Sequence, residues 1–260
     1  VNYLTKIEIK NINMFIKLLD AIKPVIRSDE FHMVFHEDKF SIDAINSERT
    51  GMVSLNLGTS FFEGYDSDEK QIIPLPFDQF LDQVKMFKTF KLMSLDYDKN
   101  NNTINFHASE GRKRRKNNIQ TISVLHPYVD PKTVKIPFNV MFSMDLKEFD
   151  KAMTECLYFD DRELDIKITD TEFLVSAEDN ATNSGTEIAW KLGEDIDSLI
   201  SEPMEIQFTT HLVTAITSKI KALTDKVTIS MAPMAPMKLS LTFPHGSLVY
   251  HIVPNGLEDD

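Results

Sequence analysis
The chain has 260 residues, with 28 Lys and Arg against 40 Asp and Glu, for a formal net charge of −12. That length holds one large domain or two ordinary ones, and 42% hydrophobic with 26% charged residues is a globular balance that excludes wholesale disorder. An acidic body argues against tight, charge-driven DNA binding over the whole surface; the single cysteine, Cys156, excludes an intramolecular disulfide framework and fits a reducing interior; and no apolar run reaches the roughly 18 residues of a membrane span.

The N-terminal VNYLTKIEIKNI is polar at alternate positions and reads as a strand entering a fold, not as a signal peptide. Ile12, Phe15, Ile16, Leu19 and Ile22 then recur at helical spacing. Half-buried strands are expected at Phe31–Phe35 and Met52–Leu57, separated by a turn ending at Phe40 and the stretch SIDAIN. A second helical stripe runs through Phe77, Phe80, Leu81, Val84 and Phe87, followed by strands at Leu92–Tyr97, Thr103–His107 and Ile119–Leu125. Between the last two lies SEGRKRRKNN, with five cations in Arg112–Lys116, placed at a hairpin tip. It reads as a solvated loop, a peripheral contact to DNA or a partner, or a nuclear-import signal.

Leu125–Asn139 carries three prolines and no helical period, and reads as an interdomain connector. The second half starts the pattern again. Leu146, Phe149, Met153 and Cys156 form a helical stripe, then come strands at Leu164–Ile168, Phe173–Ala177 and Gly185–Leu192. Leu212, Ile216, Ile220 and Leu223 form the fourth stripe, before strands at Val227–Met231, Lys238–Phe243 and Ser247–Val253. Met14–Leu57 and Met144–Leu192 share this order, with Phe40 matched to Phe173. Each half therefore holds two βαβββ-like modules.

No phosphate-loop, dinucleotide, zinc-protease or nucleophile-elbow motif is present, which points away from an enzyme, a metal site or a bound cofactor. His32 and His36 lie in a strand pattern and read as structural or surface residues, not a metal pair. Asp160, Asp161 and Glu163 read as a solvated turn. Met231, Met234 and Met237 flank Pro233 and Pro236 in a turn with adaptable apolar surface.

Several stretches resemble DNA sliding clamps of the proliferating cell nuclear antigen family: SIDAINSERTGMVSLNL, VKIP at Val134–Pro137, LKEFDKAM, and DKVTISMAPMAPMKLSLTF followed by GSLVYHIVPNGLEDD. The resemblance covers essentially the whole chain. It implies an α+β fold of two topologically repeated domains, with antiparallel sheets outside and four helices on the inner face. The boundaries it implies are an N-terminal domain at 1–124, a connecting loop at 125–139, a C-terminal domain at 140–254 and an acidic tail at 255–260.

The function implied is a ring-shaped processivity factor. The chain would form a trimer with itself or with sister subunits, encircle duplex DNA non-specifically, and dock a DNA polymerase, a clamp loader and other proteins bearing the family's interacting peptide motif. Cations that the resemblance would turn toward DNA are Lys17, Lys23, Lys85, Lys88, Lys147, Lys151, Lys219 and Lys221. The partner pocket would use Ile45, Val134, Ile136, Pro236, His251, Val253 and Pro254, with His251 where the family often has a phenol. Ring closure would use the edge strands Ile119–Leu125 and Gly185–Leu192, through Ile119, Ile122, Val124, Ile188 and Trp190. Such a clamp would work in the nucleus of a eukaryote or a virus-infected nucleated host, or in the cytoplasm of an archaeon. Two alternatives stay open: a specialised or checkpoint-type subunit of a heterotrimer, and a protein-binding adaptor that forms no ring.

Overall fold
The structure is a computed structural model that describes residues 5–27, 30–123, 127–193, 198–200 and 202–256. The chain divides into two compact units. Unit 1 comprises Val1–Ser47, Val53–Thr133 and Phe243–Leu248; unit 2 comprises Glu48–Met52, Val134–Thr242 and Val249–Asp260.

In unit 1, β1 (Thr5–Ile9) leads into α1 (Ile12–Ile26), then β2 (Glu30–Phe35), β3 (Lys39–Ile45) and β4 (Gly51–Gly58). A short β5 (Gly64–Asp66) precedes β6 (Gln71–Pro76), α2 (Phe77–Met86), β7 (Met93–Asp98), β8 (Thr103–Glu110) and β9 (Lys113–Gln120). One sheet has the order β5-β1-β7-β8-β9, and β3, β2 and β6 are neighbours in another. The paired strands are antiparallel, so alternate residues share a face. On β8, Ile104 and Phe106 are buried while Asn105 and His107 are not. Phe15, Phe31, Phe40, Phe80 and Phe106 are each 0% exposed and form one aromatic core, with Phe31 5.2 Å and Phe106 5.8 Å from Phe80.

Unit 2 repeats the plan: β10 (Val140–Asp145), α3 (Leu146–Phe159), β11 (Leu164–Ile168), β12 (Glu172–Asp179) and β13 (Ser184–Lys191). Then follow β14 (Ser198–Ile200), β15 (Met204–Phe208), α4 (Thr210–Ile220), β16 (Lys226–Met231), β17 (Met237–Phe243) and β18 (Gly246–Ile252). The orders are β13-β12-β11-β15 and β14-β10-β16-β17-β18. Phe173 is fully buried, 4.7 Å from Phe142 and stacked on Trp190 at 5.3 Å. Four βαβββ modules are thus present, as the repeat predicts, with β5 and β14 as additions.

Local chemistry explains the helix starts. Asn11 accepts the Met14 N–H at the head of α1, and Asp145 accepts the N–H groups of Lys147 and Glu148 at the head of α3. Each satisfies donors that the first turn leaves unpaired.

Three sequence expectations need correction. The strand expected at Ile119–Leu125 runs instead over Lys113–Gln120. The basic cluster is therefore mostly strand, and only Gly111 and Arg112 form the turn, with Gly111 at φ +58. A two-residue turn with glycine first matches the twist of its strands, and it pulls the cations into the ladder. Second, β2 and β4, expected to be half-buried, are buried on both faces over most of their length, as is β3 between them. Buried Asp43 accepts from Ser41 at 2.9 Å, Ser54 at 2.6 Å and Tyr128 at 3.2 Å, whereas His32 Nε2 on β2 is buried without a hydrogen-bond partner among the described residues. Third, Phe87 and Leu223, expected in helical stripes, lie just beyond the ends of α2 and α4.

Candidate functional site
The four helices carry six of the cations expected to face DNA, and Lys88 and Lys221 lie just past the ends of α2 and α4. In unit 1, α1 and α2 are joined by two reciprocal ion pairs: Lys23 with Asp78 at 3.1 Å and Lys85 with Asp20 at 3.2 Å. In unit 2, Lys221 reaches Asp150 at 2.6 Å, and Lys147 reaches Asp225 at 3.1 Å. Asp150 is buried, and it also accepts a hydrogen bond from Thr217 at 3.0 Å. Its charge is therefore fully matched, as burial requires.

Four of the eight lysines are thus committed to carboxylates. The other four, Lys17, Lys88, Lys151 and Lys219, are exposed and have no carboxylate within ion-pair distance among the described residues. Sequence spacing showed which lysines lie off the apolar stripes. It did not show this division, because the partners lie on different elements.

The residues expected to form the partner pocket divide between the units. Ile45 ends β3 in unit 1; the other six belong to unit 2. Val134, Ile136, Pro236 and Val253 are half-buried, and Pro254 is buried. The strand end there is held by the Val253 N–H donating to Thr50 O at 2.9 Å and the Asn255 N–H to Gln207 O at 2.8 Å. Lys238 lies 5.8 Å from the Phe138 ring centroid. His251 Nδ1 is buried without a hydrogen-bond partner among the described residues. Burial first, and then the charge of Lys238, push its pKa down to about 4. The ring is therefore neutral at pH 7.

The start of the connector is anchored within unit 1. Tyr128 donates to Asp43, packs edge-on against His32 at 5.4 Å, and lies under Lys70 at 5.1 Å, while Lys70 pairs with Asp130 at 3.5 Å. Burial raises the Asp43 carboxyl above its ordinary value, against the hydrogen bonds from Ser54, Ser41 and Tyr128. Burial likewise lowers His32. Neither signal was visible in the sequence, where Asp43 is one of many acidic residues.

The residues expected at the subunit joint are placed unevenly. Ile119 is 5% exposed and turned into the core of unit 1. Ile122 follows β9, its N–H donating to Pro74 O at 3.2 Å. Val124 lies outside the described residues. Ile188 and Trp190 are half-buried on β13, and the edge of that strand is free among the described residues.

Among the described residues no group of three or more His, Cys, Asp or Glu is arranged to hold a metal ion, and no helix is long and apolar enough to cross a membrane. Asp160 Oδ1 accepts the N–H groups of Arg162 and Glu163, as in a turn. Cys156 is buried, and burial followed by the neighbouring Glu155 raises its thiol to about 11, which leaves it unreactive.

Comparison with known proteins places this arrangement. Residues 4–126 match the family model described as Proliferating cell nuclear antigen, N-terminal domain. The chain is 23% identical over 248 residues to DNA polymerase sliding clamp 1 of Pyrobaculum aerophilum, covering 92% of this chain and 94% of that protein. It is 21% identical over 228 residues to DNA polymerase sliding clamp 2 of the same organism, covering 85% and 87%. The fold matches the crystal structure of Proliferating Cellular Nuclear Antigen from Entamoeba histolytica with a TM-score of 0.81 and 15% identity, over 96% of this chain and 98% of that one. Residues 4–126 thus match the N-terminal domain of the proliferating cell nuclear antigen family, and likeness to DNA sliding clamps in sequence and in fold extends over both units.

Proposed function
We propose that this chain forms one part of a closed ring around duplex DNA, keeps a polymerase on its template by encirclement, and docks replication and repair proteins through a short peptide motif. The observation that carries the DNA-facing assignment is the division of the helix lysines. Half are neutralised by carboxylates, which leaves Lys17, Lys88, Lys151 and Lys219 as weak, dispersed cations. A sliding ring needs that balance. Each phosphate neutralised strengthens binding and its salt dependence, so too many uncompensated cations would hold the ring in place.

Ring closure is assigned to β9 and β13. Each has eight residues, and each lies at the end of its sheet with unpaired backbone groups. Among the described residues these are the longest edge strands. The seam on the β9 side is cationic and polar, since Ile119 is turned inward. Partner docking is assigned to Ile45, Val134, Ile136, Pro236, His251, Val253 and Pro254. Cytoplasmic action fits the archaeal origin of the two clamp relatives.

The test is primer extension with a clamp loader and polymerase. Replacing Lys17, Lys88, Lys151 and Lys219 with glutamate should cut processive synthesis at least tenfold while the oligomer stays intact by sedimentation. Full processivity in that variant would place the DNA surface elsewhere.

A further inference from the structure
The basic cluster is not one patch. It lies on a strand, so its cations alternate between two faces of the sheet. Ile119 marks the core face, which places Asn117, Arg115 and Lys113 on that side. There the Arg115 guanidinium donates to Met86 O at the end of α2 and lies 5.9 Å from the Phe87 centroid. Lys113 sits 4.6 Å from the Phe90 centroid, and Asn117 donates to Gln83 Oε1. These residues finish a helix.

Arg114 and Lys116 face the opposite side. Lys116 is in register with His107, His107 with Ser94, and Ser94 with Glu8, so one row crosses four strands; Arg114 is in register with Ser109 beside it. The row lines an open cleft of about 470 Å³. Glu8 and Asp96 on this face already have partners. Glu8 pairs with Lys6 at 2.7 Å, and Asp96, on the same face, pairs with His107 at 3.0 Å and accepts from Asn105 at 2.9 Å. Arg114 and Lys116 have no carboxylate partner among the described residues. With Glu8 offset by Lys6, Arg114 and Lys116 outnumber the one carboxylate of Asp96, and the local charge is positive within a chain of formal net charge −12.

We infer that this cleft is a second nucleic-acid contact, separate from the helix lysines, and that it holds the phosphodiester backbone of a strand lying outside the ring. Same-face residues on an antiparallel strand repeat about every 6.8 Å, so Arg114 and Lys116 present two cations in line to an extended polyanion. Arginine grips phosphate through paired N–H groups, and the hydroxyls of Ser94 and Ser109 supply the neutral donors common in backbone contacts. The cleft has no Phe, Tyr or Trp to stack a base, and its one imidazole, His107, is held by Asp96 at 3.0 Å, so its contact is indifferent to sequence. Leu92, 36% exposed, is its one large apolar residue. A docking peptide draws most of its affinity from apolar anchors in pockets, and the cleft offers none. That favours a phosphate backbone over an acidic peptide. The contact of Arg114 and Lys116 with phosphate is tested without a ring; its place outside the ring rests on the proposed function.

The experiment measures fluorescence anisotropy of a labelled, mixed-sequence single-stranded oligonucleotide over a salt series. It compares the full chain with an Arg114→Ser/Lys116→Ser variant, and repeats the comparison in a Lys17→Ser/Lys88→Ser/Lys151→Ser/Lys219→Ser background. Circular dichroism checks that each variant is folded. Losing two phosphate contacts on a single strand should flatten the plot of log affinity against log salt by about 1.4 in both backgrounds. A slope unchanged by the cleft substitutions overturns the inference, as does no binding by the full chain at low salt. Saturable binding of a phosphopeptide that requires Arg114 and Lys116 and displaces the oligonucleotide would make this a peptide site instead.

Discussion
His251 shows how one side chain links packing to pH. Its Nδ1 has no hydrogen-bond partner among the described residues, and burial lowers its pKa from 6.5 to about 4. Between those values the unfolded chain binds a proton that the folded chain rejects, so this residue makes stability fall as pH drops from 6.5 toward 4. Its contribution is fully present above pH 6.5. The Asp43 carboxyl acts in the opposite sense, because its raised pKa means the folded chain holds the proton more tightly. A comparison of variants isolates the histidine. Between pH 7 and pH 5 the urea midpoint of His251→Gln should fall less than that of the parent. Equal falls would mean that the imidazole is not held neutral by the fold.

At the level of the element, β9 is the instructive case. A strand so rich in like charge is self-repelling unless the charges are separated or paired. Alternation separates them, and the core-side cations find π faces and the carbonyl end of α2. Cations at a helix C-terminus are stabilising through the helix dipole and the orphan carbonyls. Arg115→Ala should therefore cost about 1 kcal/mol, the scale of one net hydrogen bond plus that electrostatic contribution. Arg114→Ala, on the open face, should stay within about 0.5 kcal/mol of the parent. Denaturant unfolding of the two variants decides this, and equal losses would show that the two faces are not distinct.

For the whole molecule the matter is assembly. Two edge strands of equal length on separate units make a head-to-tail contact between copies possible, and closed rings arise when such contacts return to their start. The proposed ring should sediment near three times 29.8 kDa. Because β9 brings cations to the seam and β13 presents the exposed carboxylate of Glu187, their attraction should weaken as salt rises, with screening lengths falling to about 3 Å at 1 M. Introducing aspartate at Ile188, half-buried on β13, should give monomers, since an unpaired charge buried at an interface costs several kcal/mol. A parent chain that sediments as a monomer at low salt would refute the ring.

The helices and most strands were legible because apolar periodicity reports burial directly: Phe77, Phe80, Leu81 and Val84 mark α2, and Leu164, Ile166 and Ile168 mark β11. The repeat was legible for the same reason, since Phe40 and Phe173 both occupy core positions after matching turns. The extent of β9 was not, because its first six residues carry no apolar signal and charged sequence reads as loop. Its parity could have been counted back from Ile119, but only once the strand was known to begin at Lys113. Likewise, sequence alone determined that the helices carry lysines. Tertiary structure decided which of those charges remain uncompensated, since Asp20, Asp78, Asp150 and Asp225 meet their partners across segments distant in the chain. Periodicity is a local property of a chain, whereas charge compensation depends on which segments the fold brings within about 4 Å of each other.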